Sequence, residues 1–137
     1  MNSELEALLK RIEQAGGPVR IREFDDGERR VQPRGLFGDP DAWGPGPFIG
    51  MGYWAGIDDA TVIQALKLDA QRRGCAVLAT QGAATLRSGA GATNPVDWKV
   101  LVWPRDKPSS DYEAAEHESE PAAWALAWLA LFEQVPA

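Results

Sequence analysis

The feature that most restricts the fold of this chain is a stretch of prolines and glycines before its middle. Residues 33 to 56 contain four prolines, at positions 33, 40, 45 and 47, among seven glycines. Proline removes a backbone N–H and glycine weakens regular structure, so neither a continuous helix nor a long central strand is expected there. The sequence therefore predicts one long loop between an N-terminal unit and the remaining elements.

Two elements are predicted before this loop. Residues 3 to 15 carry apolar side chains at helical spacing, with Gly16 as a stop signal, and this pattern predicts an amphipathic helix. Its expected buried face comprises Leu5, Leu8, Leu9 and Ile12. From Val19 to Val31 the pattern changes to that of a hairpin, with Asp25-Asp26-Gly27 as its turn.

The elements after the loop begin with a helix that we expect to start at Asp58 and to end near Arg73-Gly74. Trp98 to Trp103 is the clearest strand, because apolar residues occupy both of its faces, and both faces are expected to be largely covered. The other predicted elements are strands at 75–80 and 84–87, a turn or loop from Gly89 to Pro95, an edge strand at 111–117, and a last helix from Ser119 or Glu120 to about Gln134.

Size and composition predict a single domain over residues 1–137. The chain is 45% hydrophobic and 25% charged, as in ordinary globular proteins. The order of elements favours an α+β fold, in which a mainly antiparallel sheet of about four to five strands packs with about three helices in a layered sandwich.

Charge and cysteine content restrict the partners and the compartment. The net charge of −6 would repel a phosphate backbone, so no nucleic-acid partner is expected. Cys75 is the single cysteine, which excludes an internal disulfide and suits a reducing compartment. No secretion signal or membrane span is recognisable, so the predicted location is the cytoplasm, with no membrane partner.

The sequence contains no recognisable set of residues for catalysis, metal binding or cofactor binding. A nucleophilic pair of Cys75 and His117 would need both residues within hydrogen-bond distance, and burial of Cys75 as a small hydrophobe explains that residue equally well. Gly89-Ala90-Gly91 begins like a dinucleotide fingerprint, yet it lacks the third glycine and leads into a strand. We therefore predict no catalytic residue, no metal and no cofactor.

Aromatic residues in the long loop form the first candidate binding surface, because long loops are often functional and aromatic rings anchor interfaces. The alternative is that these rings fold back and cap a small core. The candidate residues are Phe37, Trp43, Phe48, Tyr53 and Trp54.

An acidic segment forms the second candidate binding surface. Residues 111 to 120 contain five carboxylates and no lysine or arginine. Such a run either meets a basic partner or forms a solvated sheet edge that discourages aggregation. The candidate residues are Asp111, Glu113, Glu116 and Glu118.

The last helix offers a third possibility, because its apolar residues fall on more than one side. If its second face is exposed, Leu126 and Leu129 would form a symmetric contact, and the helix at about 120–134 would carry a homo-oligomer.

Two segments resemble known proteins. The first is the C-terminal run from Trp98-Lys-Val-Leu-Val-Trp103-Pro through Tyr112-Glu-Ala-Ala-Glu to the alanine-rich helix ending at Leu131. The second is the opening helix from Leu5 to Pro18. Both resemble small phage and prophage proteins of the phage ABA-sandwich kind. Together they cover roughly a third to two fifths of the chain. The resemblance implies a layered α/β sandwich and brings no catalytic residue.

The functional hypothesis from the sequence is a non-enzymatic accessory protein of a phage or mobile element. It would bind a host protein through the aromatic loop and the acidic segment. The alternative is a small-ligand-binding or enzymatic domain with a pocket between the loop and the sheet.

Overall fold

The structure is a computed structural model of the 137-residue chain. It describes residues 3–23, 29–36, 38–44, 54–81, 86–87, 91–92 and 97–133.

The N-terminal helix and hairpin form as the sequence predicts. Helix α1 spans Ser3–Gln14 and buries the four expected aliphatic side chains, which are Leu5, Leu8, Leu9 and Ile12. Gly16 follows with a φ of 77°, a left-handed conformation that glycine adopts without strain. Strands β1 (Val19–Glu23) and β2 (Arg29–Pro33) pair antiparallel, and the predicted turn at 25–27 lies outside the described residues.

Helix α2 spans Trp54–Arg72, so our prediction of a start at Asp58 is wrong. The predicted loop includes Gly56. A single glycine costs only about 1 kcal/mol in a helix, and no proline follows to end it. The predicted end is correct, because Gly74 has a φ of 88° and breaks the helix.

A three-stranded antiparallel sheet follows α2. It consists of β3 (Cys75–Gln81), β6 (Trp98–Pro104) and β7 (Ala115–His117), in the order β3-β6-β7. Strand β7 is shorter than the predicted 111–117, because a 3₁₀ helix occupies Ser109–Asp111. Two short strands, β4 (Leu86–Arg87) and β5 (Gly91–Ala92), lie between β3 and β6 in the sequence and pair antiparallel with each other. Most of the predicted turn at 89–95 lies outside the described residues.

The two faces of this sheet are covered unequally. Val100 and Val102 of β6 are buried, whereas Leu101 and Trp103 on the opposite face are half-buried. Leu78, the partner of Leu101 on β3, is 54% exposed. For strand β6 itself, the half-buried Leu101 and Trp103 agree with our expectation that both of its faces are largely covered, whereas Leu78 of the neighbouring β3 lies outside that expectation.

Helix α3 (Glu120–Phe132) forms the centre of the core. It packs against α1, α2, β6 and β7, so it contacts both other helices and the three-stranded sheet. The ring of Trp128 is almost fully buried, and its indole N–H donates to Asp69 Oδ2 at 2.9 Å. Leu129 is also buried, at 3% exposure, and Leu126 is half-buried, so the exposed second face on which the predicted dimer contact depends is not present at Leu129, and an oligomer through this helix stays a prediction.

The α+β prediction is confirmed. The described strands are all antiparallel, and they divide into separate sheets of two, three and two strands with three helices. Among the described residues, no helix is long and apolar enough to cross a membrane.

Candidate binding surface

The acidic segment lies along the edge strand β7 and the turns on either side of it. Ala115, Glu116 and His117 pair with Val100, Lys99 and Trp98 of β6. Alternation along the strand places His117 on the same face as the buried Val100 and Glu116 on the outer face. The segment therefore presents its carboxylates at a sheet edge, as the sequence predicted for an edge strand.

His117 is held between the first helix and the start of the last one. Its Nε2 lies 2.7 Å from Glu4 Oε1, and the backbone N–H of Ser119 donates to its Nδ1 at 2.9 Å. Ser119 also caps α3, since its Oγ accepts from the N–H of Ala122 at 3.4 Å. The imidazole is thus anchored at both nitrogens.

These two bonds select one form of the imidazole. Because Nδ1 accepts from Ser119, it carries no proton, and the neutral tautomer with the proton on Nε2 donates to Glu4. In this form His117 orients the Glu4 carboxylate without neutralising it.

A polar cavity of about 420 Å³ surrounds His117. Four of its five lining residues are carboxylates that come from three parts of the chain: α1, the start of β6 and the β7 segment. The lining residues are Glu4, Asp97, Glu116, His117 and Glu118. We call this hollow the acidic cavity.

The carboxylates of the acidic cavity are only partly compensated. Glu116 pairs with Lys99 at 3.2 Å, and both side chains are more than half exposed, so this pair contributes little stability. Within the described residues, no ion pair or hydrogen bond engages the carboxylates of Asp97 and Glu118. The cavity therefore holds a net negative charge in a concave surface, which concentrates the field toward a cation.

A second, smaller hollow lies at the other end of the acidic segment. It measures about 220 Å³ and combines an apolar floor with an acidic rim. The floor and rim are formed by Val102, Asp111, Tyr112, Glu113, Ala127, Ala130 and Leu131. Asp111 and Glu113 are exposed and have no described cationic partner, so this hollow also favours positive charge beside an apolar group.

Trp43 is the one aromatic loop residue whose side chain the structure describes. It is half-buried and forms an isolated antiparallel bridge with Arg34. The guanidinium carbons of Arg20 and Arg34 lie 4.1 and 5.3 Å from its ring centre. Burial and the neighbouring Arg22 lower the pKa of Arg20 from its ordinary value. Trp43 thus has cation–π partners within its own chain.

The other members of the aromatic loop cannot be placed in the same way. Phe37, Phe48 and Tyr53 lie outside the described residues, and of Trp54 only its position at the start of α2 is described. Their role in binding stays a prediction.

Cys75 and His117 lie far apart. Cys75 pairs with Pro104 at one end of β6, whereas His117 pairs with Trp98 at the other. Six residues of strand correspond to about 20 Å, which excludes a direct nucleophilic pair. Cys75 is buried, as predicted, and burial raises the pKa of its thiol.

Two residues of the acidic cavity, Glu4 and Asp97, were not predicted from the sequence. Glu4 and Asp97 are distant in sequence from the acidic segment, and Glu4 is 113 residues from His117. Their own surroundings carry no signal, because Glu4 looks like an ordinary first-turn acid of a helix.

The described part of the chain contains no group of three or more His, Cys, Asp or Glu side chains arranged to hold a metal ion. Comparison with protein-family models, with curated proteins and with solved structures gave no match for this chain.

Proposed function

We propose that this protein is a non-enzymatic binding domain whose acidic cavity receives a lysine or arginine side chain of a partner protein. The observation that carries the proposal is the acidic cavity itself, where four carboxylates line one concave surface and, among the described residues, only Glu116 has a cationic neighbour. A basic side chain would supply the missing counter-charge.

The second hollow supports an extended, basic partner segment. It lies at the other end of the same acidic segment, and its apolar floor suits an aliphatic side chain or the methylene stem of a lysine. A partner strand that follows residues 111–118 would place one basic group in each hollow. Complementary charge of this kind mainly accelerates association and selects the partner.

The test is a titration of the protein with a short lysine-rich peptide, followed by amide chemical shifts and by calorimetry. We expect the largest shifts at residues 115–119, and an affinity that falls as salt is added, because exposed charges are screened. Replacing Asp97→Asn together with Glu118→Gln should weaken binding by roughly tenfold, since two charge contacts of about 0.5–1 kcal/mol are lost.

The matched control is Asp59→Asn together with Asp106→Asn. Both residues are exposed, lie away from the acidic cavity, and change the net charge by the same amount. Equal loss of affinity in the two double variants would show that only the overall charge attracts the peptide, and the site proposal would then fail.

A small basic ligand such as a polyamine is a second candidate occupant. A volume of about 420 Å³ lies within the range of small-molecule sites, roughly 300–1,000 Å³. Titration with spermidine distinguishes the two, because a polyamine site would bind spermidine more tightly than the peptide.

We also propose, on the resemblance of residues 5–18 and 98–131 to phage ABA-sandwich proteins, that the partner is a host protein bound by a phage-encoded accessory factor. The aromatic loop would contribute through Trp43 and Trp54. Its test is capture of the partner from a bacterial host lysate by wild type and by the Trp43→Ala, Trp54→Ala double variant, since unchanged capture would exclude these residues.

A further inference from the structure

The edge strand β3 differs from other surface segments of this acidic chain. Its seven residues, Cys75 to Gln81, contain neither a charge nor a proline. Strand β3 pairs only with β6 in the described structure, and from Ala76 to Gln81 no other described contact engages the backbone. Charges, prolines and bulges are the usual devices that stop an edge strand from pairing with another chain, and the first two are missing here.

The outer face beside this edge is apolar. Leu78 is the single large hydrophobic side chain that is exposed among the described residues, at 54%. It lies opposite Leu101, and the neighbouring pair joins Ala76 to Trp103. Leu101 and Trp103 are half-buried, so an apolar stripe runs from the edge onto the sheet.

The charge distribution identifies the occupant of this edge. The chain has a net charge of −6, so two copies repel each other unless they meet at a neutral surface. The opposite edge of the sheet, β7, carries Glu116 and is followed by Glu118, which opposes self-pairing. Strand β3 is neutral over its whole length, so a second copy can approach there without opposing like charges directly.

We propose that β3 pairs antiparallel with β3 of a second copy about a two-fold axis at Leu78. Leu78 is the middle residue of the strand, so this register pairs Ala76 with Thr80 and Val77 with Ala79 of the second copy. The two sheets become one six-stranded sheet in the order β7-β6-β3-β3-β6-β7. The two Leu78 side chains meet on the outer face, and the edge backbone groups that have no partner in the described structure gain one.

The first experiment measures solution mass by sedimentation at micromolar to millimolar protein concentration. We expect a dimer that dissociates on dilution. Leu78→Lys should raise the dissociation constant by at least about tenfold, because two like charges would lie opposite each other and an apolar contact is lost. A wild type that stays monomeric throughout overturns the proposal.

Gln14→Lys is the matched control. It adds the same charge at an exposed position of α1, so it lowers the repulsion between copies without touching β3. We expect it to dimerise at least as tightly as the wild type. A dimer that is equally tight in Leu78→Lys and Gln14→Lys overturns the proposal.

A cross-link tests the register and does not depend on the fold of the lysine variant. In a Cys75→Ala background, Leu78→Cys would place two Cα atoms about 4.5–5.5 Å apart across the axis, which permits a disulfide. Thr80→Cys is the control, because its two Cα atoms would be roughly 14 Å apart along the strands. Cross-linked dimer with Leu78→Cys alone is the expected result, and equal or greater cross-linking with Thr80→Cys overturns the register.

Discussion

Gly17 lies at the junction between α1 and the core, where the structure leaves no space for a side chain. It is buried, and its N–H donates to the carbonyl of Ile12 at 2.8 Å. A Cβ at this position would overlap Ile12 Cγ2 and would lie 2.9 Å from Trp128 Cη2. Trp128 in turn is fixed by its bond to Asp69, so it cannot move away without losing that partner. Glycine is required here by space and not by its φ angle.

Gly17→Ala is therefore expected to lower the free energy of unfolding by about 1–3 kcal/mol, as overpacked core positions do. Chemical denaturation followed by tryptophan fluorescence measures this change. Gly38→Ala is the control, because Gly38 has a φ of 97° and nothing lies within 4 Å of its Cβ position, so only backbone strain is added. If the native fluorescence spectrum changes in Gly38→Ala but not in Gly17→Ala, crowding against Trp128 is not the cause.

At the scale of elements, α3 depends on small side chains for its close contacts. Four alanines of this helix are buried, which lets α1, α2 and the sheet approach its backbone from several sides. Pro121 in the first turn and the Ser119 cap define where the helix begins. The buried alanines are Ala122, Ala123, Ala125 and Ala127.

Ala123→Leu tests this packing. Ala123 has no exposed surface, so a larger side chain should destabilise the protein by about 1–3 kcal/mol through displaced neighbours. Ala130→Leu in the same helix is the control, because Ala130 is exposed and its replacement should change stability by less than about 0.5 kcal/mol. Thermal unfolding followed by circular dichroism compares the two, and a smaller loss for Ala123→Leu than for Ala130→Leu would contradict the assignment of the buried face.

The elements themselves were largely predictable from local pattern. Apolar residues at helical spacing identified the buried face of α1, and alternation identified the strand that begins at Trp98. The start of α2 was not predictable, because Gly56 carries the same local signal inside a helix as in a loop. Whether a helix tolerates one such glycine depends on the residues against which the helix packs.

At the scale of the whole molecule, an ion pair joins the first helix to the end of the last one. Arg11 Nε and Nη2 donate to Glu133 at 3.0 and 2.6 Å, across 122 residues of sequence. The hydrogen bond from Arg11 lowers the pKa of Glu133 below its ordinary value of 4.5. In the opposite direction, Glu133 raises the pKa of Arg11.

This pair predicts a pH dependence of stability. Because the pKa of Glu133 is lower in the folded chain than in the unfolded one, its contribution is present above pH 4.5 and is lost as the pH falls through the folded pKa. Glu133→Gln should therefore be less stable than wild type near neutral pH and equal to it at strongly acidic pH. Urea denaturation at a series of pH values measures the difference.

Glu113→Gln is the control for this linkage. Glu113 is exposed and has no described cationic partner, so its replacement removes a carboxylate without removing an ion pair of the described structure. A pH profile for Glu133→Gln that runs parallel to that of wild type would contradict a folded-state bond between Arg11 and Glu133.

The sequence by itself determined the α+β class, the hairpin, the buried face of α1 and the position of the acidic segment. These features depend on short-range periodicity, turn residues and charge runs, and each of these signals lies within a single helix, strand or turn. The candidate residues Asp111, Glu113, Glu116 and Glu118 belong to this group, because a charge run at a strand edge is visible without neighbours.

Only the tertiary structure decided which carboxylates surround His117 and which edge of the sheet has no partner strand among the described residues. Glu4 reaches His117 because α1 packs on α3, and Leu78 is exposed because the described helices cover the other face of the sheet. Both outcomes depend on how strands and helices pair over long sequence separations. That pairing is determined by the packing of the whole core, which no local pattern specifies.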